Sequence, residues 1–176
     1  LKTKIQTLTK IHTLRLDPSG RWRPGMKIHF WEGSPRNQGS EPFNLNPLRK
    51  GVSQRVPVWI LDEKHGLLAA VNAIEKVKVI KPTKPKFIQP KGQLFQKPVK
   101  RWIKIIVDGL ELTNLDAHDF AARDGLGLDQ LESFLFHNTE ETVLNLKLIH
   151  WTNKVIYNEN KAQKYQPQEE ALKSGI

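Results

Sequence analysis

In Glu75-Lys76-Val77-Lys78-Val79-Ile80 apolar and cationic residues alternate, and a strand with one buried face satisfies that pattern. The stretch Ala70 to Ile80 is therefore read as one strand. The same period reads strands at Met26–Trp31, with Met26, Ile28 and Phe30 on one face, at Val56–Leu61, at Trp102 through Val107 and at Leu146–Trp151. Pro57 assigns the second of these to an edge or to a strand's first residues. Arg23-Pro24-Gly25 makes a type II turn before the first, because glycine accepts the positive φ required there. The period changes after Asp108-Gly109, a turn. Asp116–Arg123 and Leu128–Phe136 read as helices joined by Asp124-Gly125-Leu126-Gly127, with Leu128, Leu131, Phe134 and Leu135 as a core-facing stripe. Residues 3–9 make a further short helix. Strands first, a helical pair late and a returning strand specify an α+β domain: a small curled sheet or barrel flanked by helices.

At 176 residues the chain suits one domain with a substantial core. The domain is expected over 1–157, with a long basic Lys/Pro loop at 81–100 and a polar tail at 158–176. Net charge is +10, and its distribution matters more than its size. Residues 76–104 hold ten Lys/Arg and no acid, whereas 106–141 hold nine acids and only Arg123. Clustered cations favour a polyanionic partner through counterion release and long-range attraction. There are no cysteines, which excludes disulfides and thiolate metal sites. The six histidines, His12, His29, His118 and His150 among them, show no metal-ligand spacing. No Gly-rich phosphate loop is present, and no cofactor is expected. No apolar run reaches the about eighteen residues of a membrane span. Leu1-Lys2-Thr3-Lys4 lacks the apolar segment of a secretory signal and a starting Met, so the sequence is expected to begin inside a longer, cytoplasmic chain. Trp31, Trp59, Trp102 and Trp151 are read as core, given the area an indole buries.

The segments TKIHTLR (9–15), RWRPGMKIHF (21–30), FAARDGLGLDQLESFL (120–135) and KLIHW (147–151) resemble, in this order, the ASCH family of small PUA-like β-barrels, in its bacterial and prophage form. The likeness covers residues 4–31 and 101–157. The family pattern Gly-x-Lys-x-x-Thr-x-Arg is filled by Lys10, Thr13 and Arg15, with Leu8 at the glycine place. The resemblance implies binding of RNA or a nucleotide-like ligand in a basic cleft between the 10–15 segment and the 124–128 junction. Some similar proteins hydrolyse acetylated cytidine with a Lys, a Thr and a Glu. Those roles map to Lys10 as base, Thr13 as nucleophile and Asp124, one methylene shorter than Glu, in support. Beside them Arg15, Arg21, Arg23 and Lys27 are candidate phosphate contacts, and Trp22 a candidate stacking surface for a base. A third possibility is an acidic protein partner docking on loop 81–100. On a regular strand Lys10 and Thr13 point to opposite faces, so they meet only if the chain turns between them or stays helical through Lys10.

Overall fold

The computed structural model describes residues 2–32, 34–43, 57–64, 66–82, 87–88, 97–98, 102–153 and 156–166. The chain order is α1 (Lys2–Gln6), β1 (His12–Arg15), β2 (Lys27–Ile28), β3 (Phe30–Glu32), β4 (Glu41–Phe43), β5 (Trp59–Asp62), β6 (Gly66–Ala70), β7 (Ala73–Ile80), β8 (Phe87–Ile88), β9 (Lys97–Pro98), β10 (Lys104–Val107), β11 (Leu110–Glu111), α2 (Asn114–Arg123), α3 (Leu128–Phe136), β12 (Val143–His150) and β13 (Gln163–Lys164). The main sheet runs β1-β12-β7-β10-β11, with β13 also paired to β7, and every pairing in it is antiparallel. The sets β2-β6-β5, β3-β4 and β8-β9 form smaller sheets. The molecule is thus α+β and mostly antiparallel.

The main sheet is open, which corrects the expectation of a closed barrel. Closure needs tilted, staggered edges long enough to join. Here the path ends in β1, four residues long, and β11, two residues long, and no pairing links them among the described residues.

The alternation in β7 works as its sequence requires: Val77 and Val79 are buried while Lys76 and Lys78 face out. Leu144, Leu146 and Leu148 of β12 continue the inner face. Helices α2 and α3 cover it with Phe120, Leu128 and Leu131, completing the largest apolar cluster. Each such side chain contributes about 1.5–3 kcal/mol through burial. Thr113 caps α2, its hydroxyl accepting the Asp116 N–H at 3.2 Å. Gly127 has no capping side chain, and Gln130 reaches back instead to accept the Gly127 N–H at 2.9 Å.

Four local expectations change. The strand over 26–31 splits at His29 into β2 and β3, which join different sheets. The strand over 70–80 splits at Val71-Asn72, whose N–H groups donate to Met26 O and His150 O. In α3 Phe134 is 62% exposed, because it lies about a quarter turn from the Leu128–Leu131–Leu135 line. The terminal Phe136 is buried instead, under the Lys81 ammonium. Residues 158–166 are docked rather than a free tail: β13 pairs antiparallel with the start of β7, and the Tyr165 N–H donates to Asn72 O at 2.5 Å. The Tyr165 ring then explains Gly25. This glycine has φ 84°, as the turn demands, and a Cβ there would lie 2.8 Å from the ring. Residues 167–176, most of the Lys/Pro stretch and the Trp59 side chain lie outside the described residues. Within that stretch Phe87–Ile88 pairs antiparallel with Lys97–Pro98. Trp151 is core, whereas Trp102 and Trp31 are half-buried. No helix among the described residues is long and apolar enough to cross a membrane.

Candidate functional site

The segment between α1 and β1 brings the early lysine and threonine together. After α1 the chain reverses at Leu8, whose φ is 53°. The N–H groups of Thr9 and Lys10 then both donate to Lys4 O, each at 2.9 Å. A non-glycine residue in this left-handed conformation costs about 1–2 kcal/mol. The Leu8 side chain offsets that by burial in the core. Since β1 begins only at His12, Lys10 precedes the strand and escapes its alternation. The reversal falls at Leu8, before Lys10, so neither a turn between Lys10 and Thr13 nor a helix through Lys10 joins them, and both side chains instead approach Asp124. The Ile11 N–H donates to Arg123 O at 3.0 Å, which ties the entry of β1 to the end of α2.

Lys10 Nζ donates to the Asp124 backbone carbonyl at 2.5 Å and to the carboxylate oxygen Oδ1. Lys4 Nζ donates to Gly125 O at 2.7 Å. Two ammonium groups thus meet the carbonyl end of α2, where the helix leaves acceptors unpaired and its dipole favours cations. Gly125, at φ 85°, keeps this junction close: a Cβ there would lie 3.4 Å from Lys10 Cδ. The Lys10 and Asp124 side chains are only 9% and 6% exposed. Burial pushes the Lys10 ammonium below its ordinary value although Asp124 opposes this, and Arg15 and Lys4 lower it further. Burial pushes the Asp124 carboxyl up, against the opposing effects of Lys10, Arg15 and the Thr13 hydroxyl. Thr13 and Arg15 share one face of β1, the first half-buried and the second exposed. Lys10, Thr13, Arg15 and Asp124 therefore occupy one neighbourhood.

Of the other four candidates, Lys27 lies in β2, and Arg21, Trp22 and Arg23 lie in the loop before it. Asp17 organises their loop, its carboxylate accepting the Arg21 N–H at 2.9 Å and the Trp22 N–H at 3.3 Å. The Trp22 ring packs on Val71, Ile74 and Ile149, and the Arg21 guanidinium lies 5.4 Å from the ring centroid. Ile149 is the β12 partner of Thr13, so Trp22 closes the sheet beside Thr13. Arg23 is exposed, and Lys27 forms an ion pair with Asp62 at 2.6 Å.

The outward face of the sheet carries residues that sequence periodicity alone did not single out. In register, Arg15 lies opposite Lys147, and Lys147 lies opposite Lys76, so three cations stand side by side on three strands. Next to this row is a trough of about 930 Å³, lined among others by Lys76, Lys78, Lys147, Lys161, Leu16 and Ile106. Lys76 and Lys78 were visible as the charged phase of an alternating strand. Lys147 and Lys161 join them only through pairing and chain return.

The inward face carries a buried polar chain that the motif reading also missed. His150 Nε2 lies 2.7 Å from Glu75 Oε2, and Glu75 Oε1 accepts the Asn158 N–H at 2.5 Å. His150 and Glu75 are fully buried. His12 contacts the His150 ring edge-on, and its Nε2 lies 3.1 Å from Phe120 O. Burial holds His12 well below its ordinary value and therefore neutral, so Nε2–H donates to that carbonyl. Its signal was the strand phase: Glu75 lies two and four residues before the buried Val77 and Val79. The described residues contain no His/Asp/Glu group able to hold a metal ion. The chain matches no family model, no curated protein and no solved structure, so the chemistry of this site rests on its own geometry.

Proposed function

We propose that this protein is a PUA-like, ASCH-type module that binds RNA or a nucleotide-like ligand on its basic sheet face. The Arg15–Lys147–Lys76 row supports this function. Like charges directly opposite each other on neighbouring strands destabilise a sheet. Phosphates laid across the row remove that repulsion, and release of their counterions adds affinity. Arg21 and Arg23, also exposed, add cations on the loop that carries Trp22. The reading is tested by titrating a fluorescein-labelled oligouridylate at increasing salt. Affinity falls linearly on logarithmic axes, and Lys147→Ala reduces the slope by roughly 0.7, the value of one single-strand phosphate contact. A salt-insensitive complex, or no complex, overturns it.

A second activity, hydrolysis of an acylated pyrimidine nucleoside such as N4-acetylcytidine, draws support from the meeting of Lys10, Thr13 and Asp124. A threonine hydroxyl needs a base to become a nucleophile, and the lowered Lys10 pKa enlarges the uncharged fraction that can take its proton. Asp124 orients Lys10. Thr13→Ala is expected to abolish acetate release from N4-acetylcytidine while leaving the urea midpoint unchanged. Absence of turnover by the unaltered protein removes this activity.

A further inference from the structure

The trough on the outward face has features that a flat cationic surface lacks. It is a recess bounded by three chain segments: the Asp17-Pro18 turn, the Asp108-Gly109 turn and the stretch containing Lys161 and Gln163. Its volume of about 930 Å³ lies at the upper end of the about 300–1,000 Å³ range of ligand clefts. Lysines stand along it, and Ile106, Ile74 and Leu16 add apolar surface. Asn145, opposite Lys78 on the neighbouring strand, adds an amide with both donors and acceptors.

The charge balance favours an anion. Lys76, Lys78, Lys147 and Lys161 form no ion pair with a described acid, and the lining holds two carboxylates. Asp17 accepts the Arg21 and Trp22 N–H groups. Asp108 Oδ1 accepts the Lys76 N–H at 3.0 Å while its Oδ2 has no hydrogen-bond partner among the described residues, so four lysines outnumber two carboxylates. What remains is a cationic rim over a partly apolar floor. A duplex presents phosphates on a convex surface and keeps its base faces stacked inside. A single strand can lay phosphates on the rim and turn a base down to the floor, with its edge available for hydrogen bonding.

Building on the RNA-binding reading, we infer that this trough takes a single-stranded RNA segment, with phosphates on Lys76, Lys78 and Lys161 and a base against Ile106 and Asn145. The experiment compares fluorescence anisotropy of a labelled oligouridylate and a labelled blunt RNA duplex on the full chain at one salt concentration. Single strand is expected to bind about tenfold or more tightly than duplex, and Lys78→Glu/Lys161→Glu to weaken single-strand binding at least about tenfold. Both lysines are exposed, so circular dichroism of the variant should match the parent. Equal or tighter duplex binding overturns the assignment, as does unchanged single-strand affinity in the variant. Binding of neither probe is a different result, because it removes RNA binding itself.

Discussion

Asp124→Ala will lower the free energy of unfolding by about 3–5 kcal/mol, the range for removing one partner of a buried ion pair. The residue left behind is the reason. Lys10 Nζ would keep the Asp124 backbone carbonyl but lose its only described carboxylate partner, in a site almost closed to water. The paired change Lys10→Met/Asp124→Leu will recover most of the loss, since apolar replacement of a buried pair removes both desolvation costs. The pH dependence has a definite sign. The Asp124 carboxyl is raised by burial, so above the ordinary aspartate range the folded chain holds a proton that the unfolded chain has shed, and stability falls as pH rises through that window. The Lys10 ammonium is lowered by burial, so below the ordinary lysine range the unfolded chain holds the extra proton, and stability rises with pH there. The pair contributes least between the two windows, and the double variant will show a flatter profile. Urea unfolding followed by tryptophan fluorescence across pH measures both effects. A loss below about 1 kcal/mol for Asp124→Ala would mean that the ammonium finds water or another partner.

The second large effect belongs to Glu75. Glu75→Ala leaves His150 Nε2, which is fully buried, and the N–H of the half-buried Asn158 without their acceptor. Each unsatisfied buried group costs about 1–3 kcal/mol, so about 2–6 kcal/mol is expected in total. The damage should also spread along the chain. Asn158 leads into β13 and Tyr165, which hold residues 158–166 against β7 and Gly25. Hydrogen exchange should therefore quicken at Asn158 and Tyr165 before it does in α2. Glu75→Gln keeps an acceptor for Asn158 and should cost less than half as much. Equal exchange at Tyr165 in the parent and in Glu75→Ala would show that the return segment is held by other contacts.

The site was readable to different depths at different residues. Asp124-Gly125 was legible as the start of the junction between two helices, and Gly125 there has φ 85°. Thr13 and Arg15 entered through motif resemblance, and β1, which no period in the sequence marked, sets them on one face. The nearness of Lys10 to Asp124 entered through motif resemblance, because no local period joins residues so far apart in sequence. Leu8 shows the converse: the backbone adopts a conformation natural to glycine, yet its side chain identity conceals it. Trp22, a candidate stacking surface in the sequence, is half-buried against Ile74 and Ile149, contacts no local period indicates.

The sequence by itself determined the periods: β7, α2, α3 and β12 form where alternation or a helical stripe requires them, and Gly25 and Gly125 mark turns because few other residues tolerate their φ values. Those are local properties, set by side chains a few positions apart. The tertiary structure alone decided that the sheet stays open, that the 70–80 strand breaks where distant carbonyls capture Val71 and Asn72, and that Arg15, Lys147 and Lys76 line up. Register and pairing are chosen by the joint packing of segments distant in sequence, and no short window contains that information.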